Sequence, residues 1–141
     1  MKKILLLSMQ TNPGNTLSHL ALLFFRIAIA SELVVAHGFK KIGIGVAVAE
    51  TVPNPLGLPE ALNQAFAIGT NVGMPLFIVL GLLTRIAVLP VLAITLTGYF
   101  IVHFNDPILV KDIPFMYSVS FLLIAFTGAG KYSLDYYFTQ K

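Results

Sequence analysis

Four long apolar runs, broken only by isolated polar residues, take up most of this chain. They extend from Leu17 to about Gly38, from Asn63 to Leu83, from Ile86 to Phe104, and from Ile113 to about Gly128. A helix that crosses a bilayer needs about 20 predominantly apolar residues. The first three runs meet or approach that length, and the fourth is the shortest. None keeps the polar face that a soluble bundle helix shows at a 3.6-residue period. The pattern predicts an all-α membrane protein with four transmembrane helices in a compact antiparallel bundle. Asp112 is placed to N-cap the fourth helix, with Pro114 in its first turn, where amide hydrogens lack helical partners.

The joins carry turn-forming residues. "TVPNPLGLPE", residues 51 to 60, holds three prolines and a glycine and reads as a loop. "GIGVAVAE" before it is apolar but short, and fits the membrane interface. "GLLTR", residues 81 to 85, reads as a tight helix-to-helix turn, and "HFNDPILVKD", residues 103 to 112, joins the third and fourth spans. Ala65, Gly69 and Gly73 follow the small-xxx-small spacing that lets membrane helices approach closely. Pro75 predicts a kink in the second span, and Pro90 falls near the start of the third. No internal repeat or low-complexity segment is present. The spans leave room for a single membrane domain over residues 17–138, with an N-terminal tail over 1–16 and a C-terminal tail over 139–141. The opening "MKKILLLSMQTNPGN" mimics a secretory signal. Its apolar run, Ile4 to Leu7, is shorter than the roughly 7–15 residues of such a signal and no cleavage site follows, so it is expected to be retained.

Composition strengthens this picture. The chain is 57% hydrophobic and 11% charged, with a mean hydropathy of +0.86. It has no cysteine, which excludes disulfides, thiolate metal sites and thiol nucleophiles within it. A net charge of +3 without a basic stripe gives no basis for nucleic-acid binding. In short loops the Lys/Arg residues divide as Lys2, Lys3, Arg85, Lys131 and Lys141 against Lys40, Lys41 and Lys111. By the positive-inside rule this bias predicts a multi-pass inner-membrane protein with both termini in the cytoplasm.

The polar residues inside the spans ask for partners. Arg26 stands well inside the first span, where a charge costs roughly 2.5–3.5 kcal/mol on insertion scales. Glu32, six residues on, is rotated by about 240° and does not share its face, whereas His37, eleven residues on, does. With the N-terminus inside, His37, Lys40, Lys41, His103, Asp106, Lys111 and Asp112 fall at one membrane face. The expected site is therefore a polar cluster of Arg26, Glu32, His37, Lys40, His103, Asp106 and Asp112. Arg26 would extend its wall inward and Arg85 would act as a structural cap at the other face. Tyr99, four residues before His103, could donate a hydrogen bond to it. Two histidines and scattered acids make a poor metal or haem site, so no metal is expected. A quinone carbonyl or an anion is the better fit, with Arg26 balancing charge, His37 or His103 relaying a proton, and Asp112 orienting a histidine. The competing reading is interfacial anchoring, capping and structural ion pairing. His19 and the aromatics Tyr132, Tyr136, Tyr137 and Phe138 read as interfacial.

These residues together resemble the DoxX family of small four-helix membrane proteins. The likeness runs from about Leu20 to Phe138. It rests on Arg26, then "HGFKK", "LGLLTRIAVLP" over residues 80 to 90, "HFNDP", and "TGAGKYSLD" over 127 to 135. The family's usual glutamate in span two is Asn71 here, and its Lys-Glu before span four is Lys111-Asp112. Glu32 lies outside the family pattern and could replace the missing acid as a partner for Arg26 or Arg85. The resemblance implies a link to membrane thiosulfate:quinone oxidoreduction in some members. In others it implies a link to respiratory, oxidative-stress or methylamine-utilisation complexes. It does not decide whether this chain is an enzyme. The expected role is an accessory or quinone-proximal subunit of a redox-linked membrane complex. The alternatives are a non-enzymatic scaffold or assembly subunit and, third, a small-solute transporter. Expected partners are the lipid bilayer and other membrane subunits or further copies. No cofactor is expected within the chain itself, although a quinone could bind.

Overall fold

In a computed structural model, residues 15–140 are described, and they contain helices and loops but no strand. Four helices are long and apolar enough to span a membrane: α1 (Thr16–Lys41), α2 (Glu60–Leu80), α3 (Thr84–Val102) and α4 (Ile108–Thr127). A short α5, Leu134–Thr139, closes the described chain. Most of the N-terminal tail expected over 1–16, with Lys2 and Lys3, and Lys141 at the other end lie outside the described residues.

The ends of the helices follow capping chemistry more closely than apolar length. The Oδ1 of Asn15 accepts hydrogen bonds from the Ser18 amide and hydroxyl, both at 2.8 Å, and starts α1. Helix α4 opens after Pro107, so Asp112 does not cap it and Pro114 lies within it rather than in its first turn. The fixed φ of Pro107, −56°, already suits the residue before a helix, and its position moves the start upstream of the acid.

Three helices contain a π-helical turn: Val34–Gly38 in α1, Gly69–Gly73 in α2 and Gly98–Val102 in α3. A π turn skips one carbonyl in the hydrogen-bond ladder. In α2 the side chains make up for it. The Thr70 hydroxyl donates to the carbonyls of Phe66 at 2.8 Å and Ala67 at 3.1 Å, and the Asn71 amide donates to Ala67 at 2.8 Å. Pro75, which has no N–H to give, lies two residues beyond the turn and is buried.

The expected packing stripe on α2 is corrected. Ala65 is exposed, and a Cβ built on Gly69 or Gly73 meets nothing within 4 Å. The buried face is Asn63, Ala67, Thr70 and Asn71. The close approach comes instead from Gly38, whose added Cβ would stand 2.6 Å from the Asn71 carbonyl oxygen. Between α3 and α4 the Ser118 hydroxyl donates to Thr95 at 2.9 Å, and Arg85 donates to the Phe126 carbonyl at 3.1 Å. Gly38 with Asn71, and Arg26 with Val79, mark the two ends of the α1–α2 contact. The shared core draws Ala30 and Leu33 from α1, Ile78 from α2, Val88 and Val91 from α3, and Phe121 and Ile124 from α4.

Candidate functional site

The expected single cluster divides into two centres at opposite ends of the bundle. At the end with the α2–α3 turn, Arg26 is 1% exposed. Its guanidinium donates to three backbone carbonyls: Ala129, Tyr132 at 3.0 Å and Val79 at 3.3 Å. Val79 lies in the last turn of α2, where carbonyls lack helical donors. Ala129 and Tyr132 belong to the segment that follows α4. A planar guanidinium with five donors suits carbonyls arriving from two directions. Gly81 lets it in. Its φ is +67°, and an added Cβ would lie 2.8 Å from Arg26 Nη1 and 2.5 Å from Ser133 Cβ.

Asp135, 1% exposed, completes this centre. Its carboxylate accepts from the amides of Leu83 at 2.6 Å and Thr84 at 2.9 Å, and its own amide donates to the Gly81 carbonyl at 2.8 Å. A carboxylate from another part of the chain thus caps the N-terminus of α3, where both the free amides and the helix dipole favour a negative charge. It also holds Leu83 at a φ of +48°, a conformation that a leucine rarely adopts. His19 belongs here as well. It is buried rather than interfacial, and its Nδ1 accepts from the Lys131 amide at 3.2 Å. Arg85, at the start of α3, holds the last turn of α4 through Phe126.

Arg26 therefore does not extend the His37 wall. Eleven residues of helix place the two about 16 Å apart along the axis, and the carbonyl acceptors lie at the turn end only.

At the other end, His37 is half-buried and meets the Tyr117 ring edge-on, with centroids 5.3 Å apart. Lys40 and Lys41 both pair with Glu50, at 2.8 and 3.1 Å, and Lys41 also donates to the His37 carbonyl at 3.1 Å. Burial alone would raise the Glu50 carboxyl, but hydrogen bonds and charge from the two lysines outweigh it and hold it below the usual glutamate range. These contacts pin the loop after α1. Gln64 and Asn63 of α2 hold the same region through the carbonyls of Lys41 and of Val52 and Pro53.

His103 does not join His37. It pairs with Asp106 at 2.7 Å in the turn between α3 and α4. Asp112 is exposed and pairs with neither histidine, and Asp106 takes the orienting role expected of it. Glu32 is exposed on α1 and replaces neither the acid missing at Asn71 nor a partner of Arg26 or Arg85. Among the described residues no three potential metal ligands converge.

A groove runs along the outside of α3 and α4. Its wider part, about 390 Å³, is lined by Tyr99, Ile108, Leu109, Lys111, Asp112 and Phe115. A second hollow of about 180 Å³ shares Tyr99 and Phe115 and continues over Leu92, Leu96, Val119 and Leu122. The Lys111 ammonium lies 4.9 Å from the Tyr99 ring centre and donates to the Phe104 carbonyl at 3.1 Å. The groove thus has a charged mouth and an apolar length.

Reading residues one at a time missed the functions of Asp135, Glu50, Tyr117 and Gly38. Asp135 had a signal, since Ser133 precedes it as a helix cap, but its true partner is 51 residues away. For Glu50 the signal was an acid soon after a lysine pair.

Comparison with known proteins finds the family described as DoxX matching residues 21–104, which cover α1 beyond its first turn, α2 and α3. A protein of Haemophilus influenzae, whose name states only that it is uncharacterized, is 29% identical over 93 residues. That alignment covers 62% of this chain and 62% of the relative's own length. No solved structure matches.

Proposed function

The chain belongs to the DoxX family, and on that premise we propose that it is an accessory, quinone-proximal subunit of a redox-linked complex in the inner membrane. The observation that carries the reading is the groove between α3 and α4. A quinone has hydrogen-bond-accepting carbonyl oxygens on a ring and a long apolar tail. Lys111 and Tyr99 offer donors at the charged mouth, and Leu92, Leu96, Val119 and Leu122 offer an apolar bed for the tail. Tyr99 and Phe115, tilted at 43° with centroids 5.7 Å apart, contact each other and together form an aromatic wall shared by both hollows, against which a planar ring would lie. Recognition of this kind combines apolar walls with few placed polar groups. The Lys/Arg bias of the loops supports termini on the cytoplasmic side.

The test is quinone content. Protein extracted gently from native membranes should carry quinone in its lipid extract, and Lys111→Gln with Tyr99→Phe should lower the amount per protein severalfold without changing the melting midpoint. Wild-type protein without quinone, and without saturable binding of a short-tailed quinone, would sink the reading.

A second reading, a non-enzymatic membrane scaffold, is favoured by one observation. Among the described residues the buried charged groups are Arg26 and Asp135, and both hold backbone segments together, Arg26 through its two terminal nitrogens and Asp135 through both carboxylate oxygens. A partner complex that assembles equally well with the Lys111→Gln and Tyr99→Phe protein, and contains no quinone, would select it.

A further inference from the structure

We propose that α1 is a self-association surface, on which two copies of this chain pack through a heptad seam and exchange hydrogen bonds between Ser31 and Glu32. The seam is Leu17, Ala21, Phe24, Ala28, Ser31 and Val35. The steps between them alternate four, three, four, three and four, which is the spacing of a coiled-coil seam. All six are exposed in the single chain. Ala21, Ala28 and Ser31 are small residues on either side of the exposed Phe24 and let a second backbone come close there, as membrane helix pairs require. The buried face of α1 is a different one, carrying His19, Arg26, Ala30 and Leu33. The bundle therefore leaves the seam open.

Glu32 shows what kind of partner covers it. It lies about 24 Å from the start of α1 and about 14 Å from its end, well inside the roughly 30 Å apolar layer. Among the described residues it is the one exposed charged side chain so far from the ends of its span. Its charge acts on Tyr117 of α4 but forms no hydrogen bond with it, and an exposed carboxylate at that depth is costly unless another group satisfies it. Its neighbour Ser31 is an exposed hydroxyl at the same depth. Two copies inserted in the same orientation can be related only by an axis along the membrane normal, so equal residues meet at equal depth. In such a two-fold contact each surface must complement itself. Ser31 and Glu32 do so: the hydroxyl of each copy donates to the carboxylate of the other. A heptad seam meets the same condition, because both helices carry the same period.

The absence of cysteine permits a direct test in native membranes with the full chain. Single cysteines are placed in the seam, Ala28→Cys and Val35→Cys, and on the exposed face of α4, Leu123→Cys. Oxidative cross-linking requires Cα atoms within about 7 Å. The seam positions should form disulfide-linked dimers and Leu123→Cys should not. In the Ala28→Cys background, Glu32→Leu or Ser31→Ala should reduce dimer formation roughly eightfold to three-hundredfold, because the symmetric pair loses two interhelical hydrogen bonds at once. Glu32→Gln, which keeps a carbonyl acceptor, should retain most of it. Equal cross-linking at seam and control positions, or none at the seam, would overturn the proposal. So would a Glu32→Gln loss as complete as that of Glu32→Leu, because that pattern requires a cationic group from a different protein.

Discussion

Replacing Arg26 by leucine separates a structural from a ligand-binding role for that residue. If Arg26 were held ready for an anion, removing a buried charge and substituting an apolar side chain would leave stability unchanged or improve it, as replacement of buried ionic groups often does. The geometry predicts the reverse. Three carbonyls, from Val79, Ala129 and Tyr132, lose their donor at once. The Ala129 bond is buried and the other two are partly buried, and a buried acceptor left without a partner costs about 1–3 kcal/mol, a partly buried one less. The Val79 bond, at 3.3 Å, is long and belongs at the low end of that range. Against this stands the gain from no longer burying a guanidinium, about 2.5–3.5 kcal/mol on insertion scales, part of which the less folded chain in the membrane also avoids. The balance is a net loss of about 2–4 kcal/mol, or a drop of about 5–15 °C in the melting midpoint for a chain of this size. Arg26→Lys should fall between, because an ammonium keeps the charge but cannot serve three carbonyls arranged around a plane. The assay is thermal melting in lipid nanodiscs followed by helical circular dichroism, since the chain has neither tryptophan nor cysteine to label. A midpoint for Arg26→Leu equal to or above wild type would refute the reasoning.

Gly81→Ala and Gly73→Ala should move in opposite directions in the same assay. At Gly81 the left-handed φ costs about 1–2 kcal/mol for a residue with a Cβ, and that atom also collides with Ser133 and Arg26. At Gly73 the new methyl meets nothing within 4 Å, and alanine in place of glycine gains up to about 1 kcal/mol of helix propensity. Glu50→Gln should make stability less dependent on acidity. The folded carboxyl lies below its ordinary value of 4.5, so its stabilisation is present above that value and is lost as pH falls through the lowered one. At pH 7 the variant should melt below wild type by no more than about 1 kcal/mol, the usual limit for exposed ion pairs. The two curves should converge below pH 4.5, and parallel curves would count against the Lys40–Glu50–Lys41 tie.

Counting spans predicts His37, Lys40, His103 and Asp106 at one membrane face, and in the bundle they lie near the end of α1 and in the α3–α4 turn, away from the α2–α3 turn. Which of them touch was not legible. Helical geometry gives the rotation of Arg26 relative to His37 but not where acceptors wait, and the acceptors are backbone carbonyls, which every residue has. A side chain that bonds to carbonyls leaves no pattern in residue types. At Asn71, where the family has a glutamate, the side chain repairs a π turn inside its own helix, and Glu32 does not replace the missing acid.

The sequence alone determined that four apolar segments cross the membrane, where the loops fall, and that family motifs follow in order, because length, hydropathy and turn residues act over a few neighbours. The heptad seam with Ser31 and Glu32 was also written there, but only the structure showed that the bundle leaves it open. Tertiary structure alone decided that Arg26 ties the end of α2 to the segment after α4, that Asp135 caps α3, and that Glu50 draws in Lys40 and Lys41. Those contacts span 9 to 106 residues. They exist because an apolar bundle must find a partner for every charge and every free backbone group it encloses, and the partner is whichever one the packing brings within reach.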